Sequence, residues 1–302
     1  MKRRDFLKTA VAAGVAGAVM SPFRCLGKGS GQSGAPELVA VRGPDPVTMY
    51  KRGIEELGGI VSFIKKGQSV VVKPNIGWAR LPKYAANTSP QLVEAIVLDC
   101  VKAGAGVVYV LDHTCNYWKN CYRNSGIEAA AEQAGAKVVP GNSHSDYRKI
   151  VIPRGKALKN AEMHRLVLDC DVLINVPVLK NHGGAVMTSA MKNLMGTVWD
   201  RKYFHSTDLN QCIADWVTAR VPDLNIIDAY NMMRTHGPRG VNLDDVVNAK
   251  FQLLSKDIVA IDTAAAKILG IKPEKIPYIA KGEELGLGRT DLKRVSIRRI
   301  VA

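Results

Sequence analysis

Continuous apolar runs that alternate with helix-forming segments constrain the fold of this chain most strongly. Residues 69–73 (SVVVK) form an apolar run typical of a strand that is covered on both faces of a parallel sheet. Residues 107–111 (VVYVL) and 171–176 (DVLINV) repeat this pattern. Between the first two runs, apolar residues recur at helical spacing after a Ser89-Pro90 start signal and before Gly104. The sequence therefore predicts an α/β fold, with a doubly wound, mostly parallel, Rossmann-like sheet and helices on both faces.

Shorter predicted elements fill the rest of the chain. We expect a helix over residues 125–135, a strand over 137–139, an antiparallel pair around 147–152 and a short helix over 263–270. Residues 225–228 and 259–262 are interpreted as strand ends or turns that carry acidic residues. The sequence contains no internal repeat, so one α/β domain is predicted over residues 36–302.

The N-terminal segment has the pattern of an export signal. Residues 3–8 (RRDFLK) match the twin-arginine pattern R-R-x-F-L-K. The apolar run that follows, residues 9–20, would be about 18 Å long as a helix, against a hydrocarbon core of roughly 30 Å. We therefore predict a cleaved signal and flexible linker over residues 1–35, passage through the twin-arginine machinery and a periplasmic or extracytoplasmic mature chain without a transmembrane segment. A membrane anchor and lipidation of Cys25 are the alternatives.

Charge and cysteine content exclude other classes of function. The net charge is +15, and it is still +12 without the first 18 residues, but the basic residues are scattered, so no nucleic-acid partner is expected. The six cysteines contain no C-x-x-C pair, which argues against an iron-sulfur cluster. Cys115 and Cys121 flank a loop, where a disulfide is reasonable in an oxidising compartment.

Polar side chains follow several predicted strands. In open α/β sheets ligands bind beyond the carboxyl ends of the strands, so these residues are the candidate site. A lysine can hold an anion, glycines let backbone N–H groups approach it, and a histidine can move a proton near neutral pH. We predict that the ligand is a small anionic organic substrate. The candidate catalytic residues are His113, His182 and Lys180, and the candidate binding residues are Lys73, Asn75, Asn193, Gly183 and Gly184.

Other polar residues have less defined predicted roles. Asp228 and Asp262 are ligand or supporting candidates. His113 could instead cap a strand end, and His144 and His164 are interpreted as surface or loop residues. No G-x-G-x-x-G fingerprint or P-loop is present, so dinucleotide binding is not indicated.

Several of these segments together resemble the domain of unknown function 362 family. The resemblance covers about residues 65–300 and is most specific at residues 179–182 (LKNH) and 192–196 (KNLMG). It implies the α/β fold but no reaction. Some members carry an added ferredoxin-like cysteine segment, which this chain lacks. Where the family usually has a G-x-G-P loop, this chain has His236 before Gly237-Pro238, which either adds a ligand or has no role.

The order of strands, histidines and lysine is also similar to the amino-terminal domain of the nickel-pincer lactate racemases. That similarity implies an acid/base pair of His113 and His182, a cofactor-tethering Lys192 and a metal ligand at His205. Asp228, which follows a predicted strand, is a further metal candidate. A transition metal or metal-organic cofactor would then be involved. The chain departs from the racemases at Lys73 and Asn75, where they have an acidic residue and an arginine.

The leading hypothesis is an exported enzyme that uses His/Lys acid-base chemistry on a small anion, with or without assistance from a metal, in the manner of an isomerase or racemase. A non-enzymatic solute- or cofactor-binding protein is the alternative, and an iron-sulfur or redox-associated protein is a third. A histidine with a perturbed pKa in the cleft would favour the enzyme.

Overall fold

The computed structural model describes residues 35–302, so the twin-arginine segment and Cys25 lie outside the described part. Twelve strands are present in this part. They are β1 (Leu38–Arg42), β2 (Ser69–Pro74), β3 (Val107–Val110), β4 (Lys137–Val138), β5 (Tyr147–Val151), β6 (Asn160–His164), β7 (Val172–Val176), β8 (Val178–His182), β9 (Val186–Thr188), β10 (Leu224–Met233), β11 (Val246–Ser255) and β12 (Ile297–Val301).

Ten α-helices accompany the strands within residues 35–302. They are α1 (Pro46–Glu56), α2 (Pro90–Lys102), α3 (Trp118–Ser125), α4 (Ile127–Gln133), α5 (Arg165–Asp169), α6 (Ala190–Asn193), α7 (Arg201–Ser206), α8 (Leu209–Val217), α9 (Ile258–Leu269) and α10 (Pro277–Glu284). None of the helices between residues 35 and 302 has the length and apolar character needed to cross a membrane.

The central sheet has the strand order β12-β1-β11-β10-β7-β2-β3-β4. β11 runs antiparallel to both of its neighbours, and the other pairs in this order are parallel. The hairpin of β8 and β9 joins the sheet through β10. The predicted mostly parallel sheet is therefore confirmed, as is the antiparallel pair that β5 forms with β6.

Apolar side chains leave the sheet on both faces. Val71 of β2 belongs to one hydrophobic core, whereas its neighbours Val70 and Val72 belong to a second core on the opposite face. Leu173 and Ile174 of β7 divide in the same way. Alternate side chains along a strand point to opposite faces, so a continuous apolar run is buried on both sides by helices.

Some predicted elements were wrong. Residues 259–262 are not a strand end or turn, because they lie in α9, whose first N–H groups are capped by the Asp257 carboxylate. The helix predicted over residues 125–135 corresponds to α4, which begins only after Gly126, a residue with φ of +73°. The helix before this glycine, α3, was not predicted. His164 is not a surface residue: it is buried at the end of β6, and its Nδ1 accepts from Leu166 N. β1 and α1 were not predicted at all.

Candidate functional site

The carboxyl ends of β2, β3 and β8 meet α6 and the start of α7 around a cavity of about 260 Å³. We call it the cationic cavity, because its wall contains two lysines and an arginine. It is lined by Asn75, Gly77, Trp78, Asp112, His113, Cys115, Lys180, His182, Thr188, Lys192, Asn193, Met195, Gly196, Arg201, His205 and Pro238.

A buried ion pair lies at the base of this cavity. Lys73 Nζ is 2.8 Å from Asp112 Oδ1, and both side chains are almost fully buried. Lys73 also donates to the carbonyl of Pro74 at 2.8 Å and to Asn193 Oδ1 at 3.1 Å. Asp112 Oδ2 accepts from Ile76 N at 2.6 Å. With several partners for each charge, the pair is stable only as a unit, since removal of one member would leave the other charge buried and uncompensated.

Asparagine side chains extend this base into the sheet. Asn193 Oδ1 accepts from Asn75 Nδ2 at 2.9 Å, and Asn193 Nδ2 donates to Asn175 Oδ1 at 2.9 Å. Asn175 in turn donates to Asn225 Oδ1 at 2.9 Å. We call Lys73, Asp112, Asn75 and Asn193 the polar floor of the cavity. Every one of these four side chains has defined hydrogen-bond or ion-pair partners, so the floor is held rigidly.

Gly196 allows the floor to form. A Cβ at this position would lie 1.7 Å from Asp112 Oδ1 and 2.7 Å from Lys73 Nζ, so the ion pair or the backbone would have to move to admit it. The final glycine of the KNLMG segment is therefore required for the close approach of its backbone to the ion pair.

Lysine and arginine side chains form the wall. Lys180 Nζ donates to Asn75 Oδ1 at 2.9 Å and to the carbonyl of Ala86. Arg201 donates to the carbonyls of His113 at 2.8 Å and Thr114 at 2.6 Å. Within residues 35–302, Lys192 Nζ makes no hydrogen bond or ion pair, although its charge interacts with its neighbours through space. Among the described residues that line the cavity, Asp112 is the only carboxylate, and it is already paired with Lys73.

Burial and neighbouring positive charges lower the proton affinity of the two wall lysines. Burial, together with the charges of Lys192 and Lys73, lowers the pKa of Lys180 to about 7. Burial and the charges of Arg201 and Lys73 lower the pKa of Lys192 to about 8. Both effects penalise the charged ammonium groups, so an anion that enters the cavity would stabilise them.

His113 has one ring nitrogen committed to the protein. Its Nδ1 lies 3.1 Å from the carbonyl of Val198, which can only accept, so Nδ1 carries the proton and Nε2 keeps its lone pair. The ring stacks on Trp199 with centroids 5.1 Å apart and an interplanar angle of 8°. Burial and the Arg201 charge lower the pKa of His113. Near neutral pH this ring is therefore a neutral base that Trp199 holds in place.

His182 has the opposite arrangement. Its Nδ1 accepts from the backbone N–H groups of Gly184 and Ala185, each at 3.1 Å, so Nδ1 carries the lone pair and the proton of the neutral ring is on Nε2. Burial and the charges of Lys192 and Lys180 lower the pKa of His182 to about 3. The ring is thus a neutral hydrogen-bond donor through Nε2.

The metal candidates do not come together. His205 lines the cationic cavity, whereas Asp228 lines a separate cavity beside Ser89 and Pro90. Asp228 accepts from Ser89 N at 2.8 Å, and burial raises the pKa of its carboxyl to about 6. Between residues 35 and 302 there is no group of three or more metal-ligating side chains. Side chains alone therefore do not supply a metal centre in the described part of the chain.

The structure thus gathers most of the predicted site residues in one place. His113, His182, Lys180, Asn75, Asn193, Lys192 and His205 line the cationic cavity. Lys73 belongs to the polar floor but does not itself line the cavity, and the predicted glycine pair is outside the lining, with Gly184 N–H directed to His182. Asp262 lies behind the site, where it accepts from Ala190 N at 2.7 Å and Met191 N at 3.0 Å at the start of α6.

Sequence reasoning did not name several residues of the site, among them Asp112, Arg201 and Trp199. Arg201 and Trp199 follow the KNLMG segment in a stretch that ends no strand, so no strand-end signal marks them. His236, the other possible ligand, does not line the cationic cavity. Its Nδ1 pairs with Asp245 Oδ1 at 2.5 Å.

The two loop cysteines are not joined. Cys115 is exposed at the cavity and accepts from Arg201 at 3.3 Å, whereas Cys121 is buried in α3 and its thiol contacts the carbonyl of Gly77 at 3.7 Å. The expected disulfide between Cys115 and Cys121 is absent from the structure.

The fold and the site define a class of protein: a doubly wound α/β protein with a cationic, histidine-bearing cavity at the carboxyl ends of its strands. The chain belongs to the family described as domain of unknown function (DUF362), which matches residues 70–267. The predicted family resemblance is therefore confirmed.

Three comparisons describe similar proteins. A thylakoid-associated protein of Synechocystis sp. is 27% identical over 249 residues, which is 78% of this chain and 74% of that protein. The lactate racemase apoprotein from Thermoanaerobacterium thermosaccharolyticum has a TM-score of 0.47 and 13% identity, over 75% of this chain and 56% of that chain. A Thermotoga maritima protein has a TM-score of 0.42 and 11% identity, over 61% of this chain and 51% of that chain. The chain thus spans about half the length of these two solved structures.

Proposed function

We propose that this protein is an enzyme that binds a small organic anion in the cationic cavity and transfers a proton on it. The observation that supports this most directly is the charge of the wall. Lys180, Lys192 and Arg201 converge there. The one carboxylate among the described lining residues, Asp112, is already paired with Lys73. A carboxylate ligand would supply the missing negative charge, and the volume of about 260 Å³ suits a molecule of a few carbon atoms.

The two histidines would then divide the proton chemistry. His113 Nε2, with its free lone pair, would take a proton from the bound molecule. His182 Nε2–H would donate a hydrogen bond to an oxygen whose charge increases in the transition state. A neutral imidazole suits the second role, because it polarises an oxygen without giving up its proton. This refines the predicted acid/base pair of His113 and His182 into a base and a hydrogen-bond donor.

A metal-organic cofactor remains a separate proposal. Lys192 and His205 line the same cavity, which is what a group tethered to Lys192 and ligated by His205 would require. The described side chains provide no metal cage of their own, so no step of the proposed proton transfer is assigned to a metal.

The first experiment is a binding and exchange measurement. Glycolate, the two lactate enantiomers and pyruvate are titrated into the full chain by calorimetry. Each is then incubated in D₂O and examined by NMR for deuterium, on the carbon beside the carboxylate in glycolate and lactate and on the methyl carbon in pyruvate. We expect binding that is lost in Lys180→Gln, and exchange that is lost in His113→Gln while binding is retained. Binding without exchange for every probe would overturn the enzyme in favour of a solute-binding protein.

We further propose export through the twin-arginine machinery, supported by residues 3–8. Fractionation of cells that express the full chain tests this. The wild type should be found outside the cytoplasm, and the double variant Arg3→Lys/Arg4→Lys should stay inside. Equal distribution of both forms would contradict the proposal.

A further inference from the structure

The cations of the wall differ in what holds them. Lys180 and Arg201 are each fixed by protein acceptors: an amide oxygen and a carbonyl for Lys180, and two carbonyls and the Cys115 sulfur for Arg201. Lys192 lies in the same cavity without such an acceptor among residues 35–302. Fixed cations suit the binding of a carboxylate. An amine that is not held by the protein is free to react with the ligand itself.

We propose that Lys192 is a nucleophile that forms an imine with the carbonyl carbon of a small oxo acid. The proposal rests on the anion binding proposed above and names the substrate class. Lys180 and Arg201 would hold the carboxylate, which places a neighbouring ketone or aldehyde group inside the cavity wall beside Lys192.

The electrostatics support this role. Burial and the charges of Arg201 and Lys73 lower the pKa of Lys192 to about 8, so roughly a tenth of the side chain is the neutral amine at pH 7. An exposed lysine has about a thousandth or less in this form. Desolvation and a neighbouring cation are the usual means by which a lysine becomes a nucleophile.

The chemistry balances with groups that the cavity contains. The neutral amine of Lys192 adds to the carbonyl carbon, and the carbonyl oxygen receives a proton to give a carbinolamine. Loss of the hydroxyl group as water then forms the C=N bond, and the nitrogen proton is released. His113 Nε2 can accept and return the protons, and His182 Nε2–H can hydrogen-bond the carbonyl oxygen while it carries charge. No oxidant or reductant is needed.

Reductive trapping tests the proposal. The purified full chain is first weighed by intact mass spectrometry, then incubated with pyruvate or glyoxylate and sodium cyanoborohydride, which reduces an imine to a stable amine. The peptide that carries the adduct is then mapped. Lys192→Arg keeps the charge but cannot react, and Lys202→Arg, an exposed position on α7, is the matched control.

We expect one adduct per chain on Lys192, reduced about ten-fold or more in Lys192→Arg and unchanged in Lys202→Arg. Excess lactate, which has the carboxylate but no carbonyl, should suppress trapping. Adducts spread over surface lysines would overturn the imine, as would added mass on Lys192 in the protein as purified. If calorimetry shows pyruvate binding that depends on Lys180 but no adduct forms, the imine fails and the anion site stands. If pyruvate and glyoxylate do not bind, the imine fails; if glycolate and lactate do not bind either, the anion site fails as well.

Discussion

The polar floor and the cavity wall contain the same kinds of side chain in opposite states. Lys73 in the floor is fully buried, yet it has an anion, a carbonyl and an amide oxygen as partners. Lys192 in the wall faces the cavity and has none of these within the described residues. A satisfied buried charge is part of the architecture, whereas a charge that lacks a partner is available to a ligand. Replacements in the floor are therefore expected to lower the stability of the protein, whereas replacement of Lys192 is expected to lower its affinity for an anion.

Asp112→Ala should have the largest effect on stability. The substitution leaves the Lys73 ammonium buried without an anion, which costs on the order of 3–5 kcal/mol. Urea unfolding at pH 7 measures the loss. The double variant Asp112→Ala/Lys73→Met should recover part of it, because no charge is then left behind. If Asp112→Ala alone were as stable as the wild type, the floor would not be a structural element distinct from the wall.

Gly196→Ala should weaken the same floor through sterics. The new methyl group would overlap Asp112 Oδ1 and Lys73 Nζ, so the backbone or the ion pair must shift, at about 1–3 kcal/mol. Denaturant unfolding gives the magnitude. Ser206→Ala, at an exposed position on α7, serves as the control and should change little.

Lys192→Met, unlike the floor variants, should leave the stability nearly unchanged and weaken anion binding. It removes a cation that no described partner compensates, so the free energy of unfolding should change by less than about 1 kcal/mol or increase. Pyruvate affinity, measured by calorimetry, should nevertheless decrease about ten-fold. A variant that loses its cooperative unfolding transition would instead place Lys192 in the architecture.

The pH dependence of binding sharpens the comparison. The wall lysines have pKa values of about 7 for Lys180 and about 8 for Lys192, so the cavity loses positive charge as the pH rises through this range. Anion affinity should decrease by up to about ten-fold per pH unit for each lysine above its pKa. Calorimetry from pH 6 to pH 9 measures this, and Lys180→Arg should flatten the profile because arginine stays charged.

The same lowered pKa affects stability with a definite sign. Lys180 has a pKa of about 7 when folded and near its ordinary 10.5 when unfolded, so the unfolded chain binds more protons between these values. The free energy of unfolding should therefore rise with pH from about 7 toward 10. Urea unfolding at pH 7 and pH 9.5 should show a smaller rise in Lys180→Met. An unchanged rise would show that Lys180 is not buried as a cation.

His144→Gln should have the smallest effect. His144 is largely exposed, does not line the cavity and contacts Glu162 at 3.0 Å; its ring also lies beside Trp199, with centroids 4.9 Å apart. Exposed pairs contribute less than about 1 kcal/mol, so both stability and anion affinity should be close to those of the wild type. A clear loss of affinity would extend the site beyond the wall defined above.

Much of the fold could be predicted because burial on both faces of a strand leaves a direct mark in the sequence. The runs that became β2, β3 and β7 are apolar at nearly every position, and the helix α2 has a start signal, a period and a stop. β1 and α9 were harder. β1 gave no recognised signal, and the acidic Asp262 in α9 suggested a turn, although its carboxylate accepts backbone N–H groups of α6 inside the protein.

The residue types of the site could be predicted in the same way, since polar groups after buried strands collect at one edge of a parallel sheet. His113, Lys180 and His182 were found by that rule. Arg201 was not, because α7 reaches the cavity only through the fold, where its guanidinium contacts the carbonyls that follow β3.

The sequence by itself determined the α/β architecture, the family and the set of lysines and histidines at the strand ends, because these depend on local pattern and on which residues follow a strand. The tertiary structure alone decided their states. It paired Lys73 with Asp112, left Lys192 without a described partner and directed His113 Nδ1 to the carbonyl of Val198, because each of these outcomes depends on which group distant in the sequence lies within about 3 Å. The free nitrogen of His182 is instead set locally, by the N–H groups of Gly184 and Ala185.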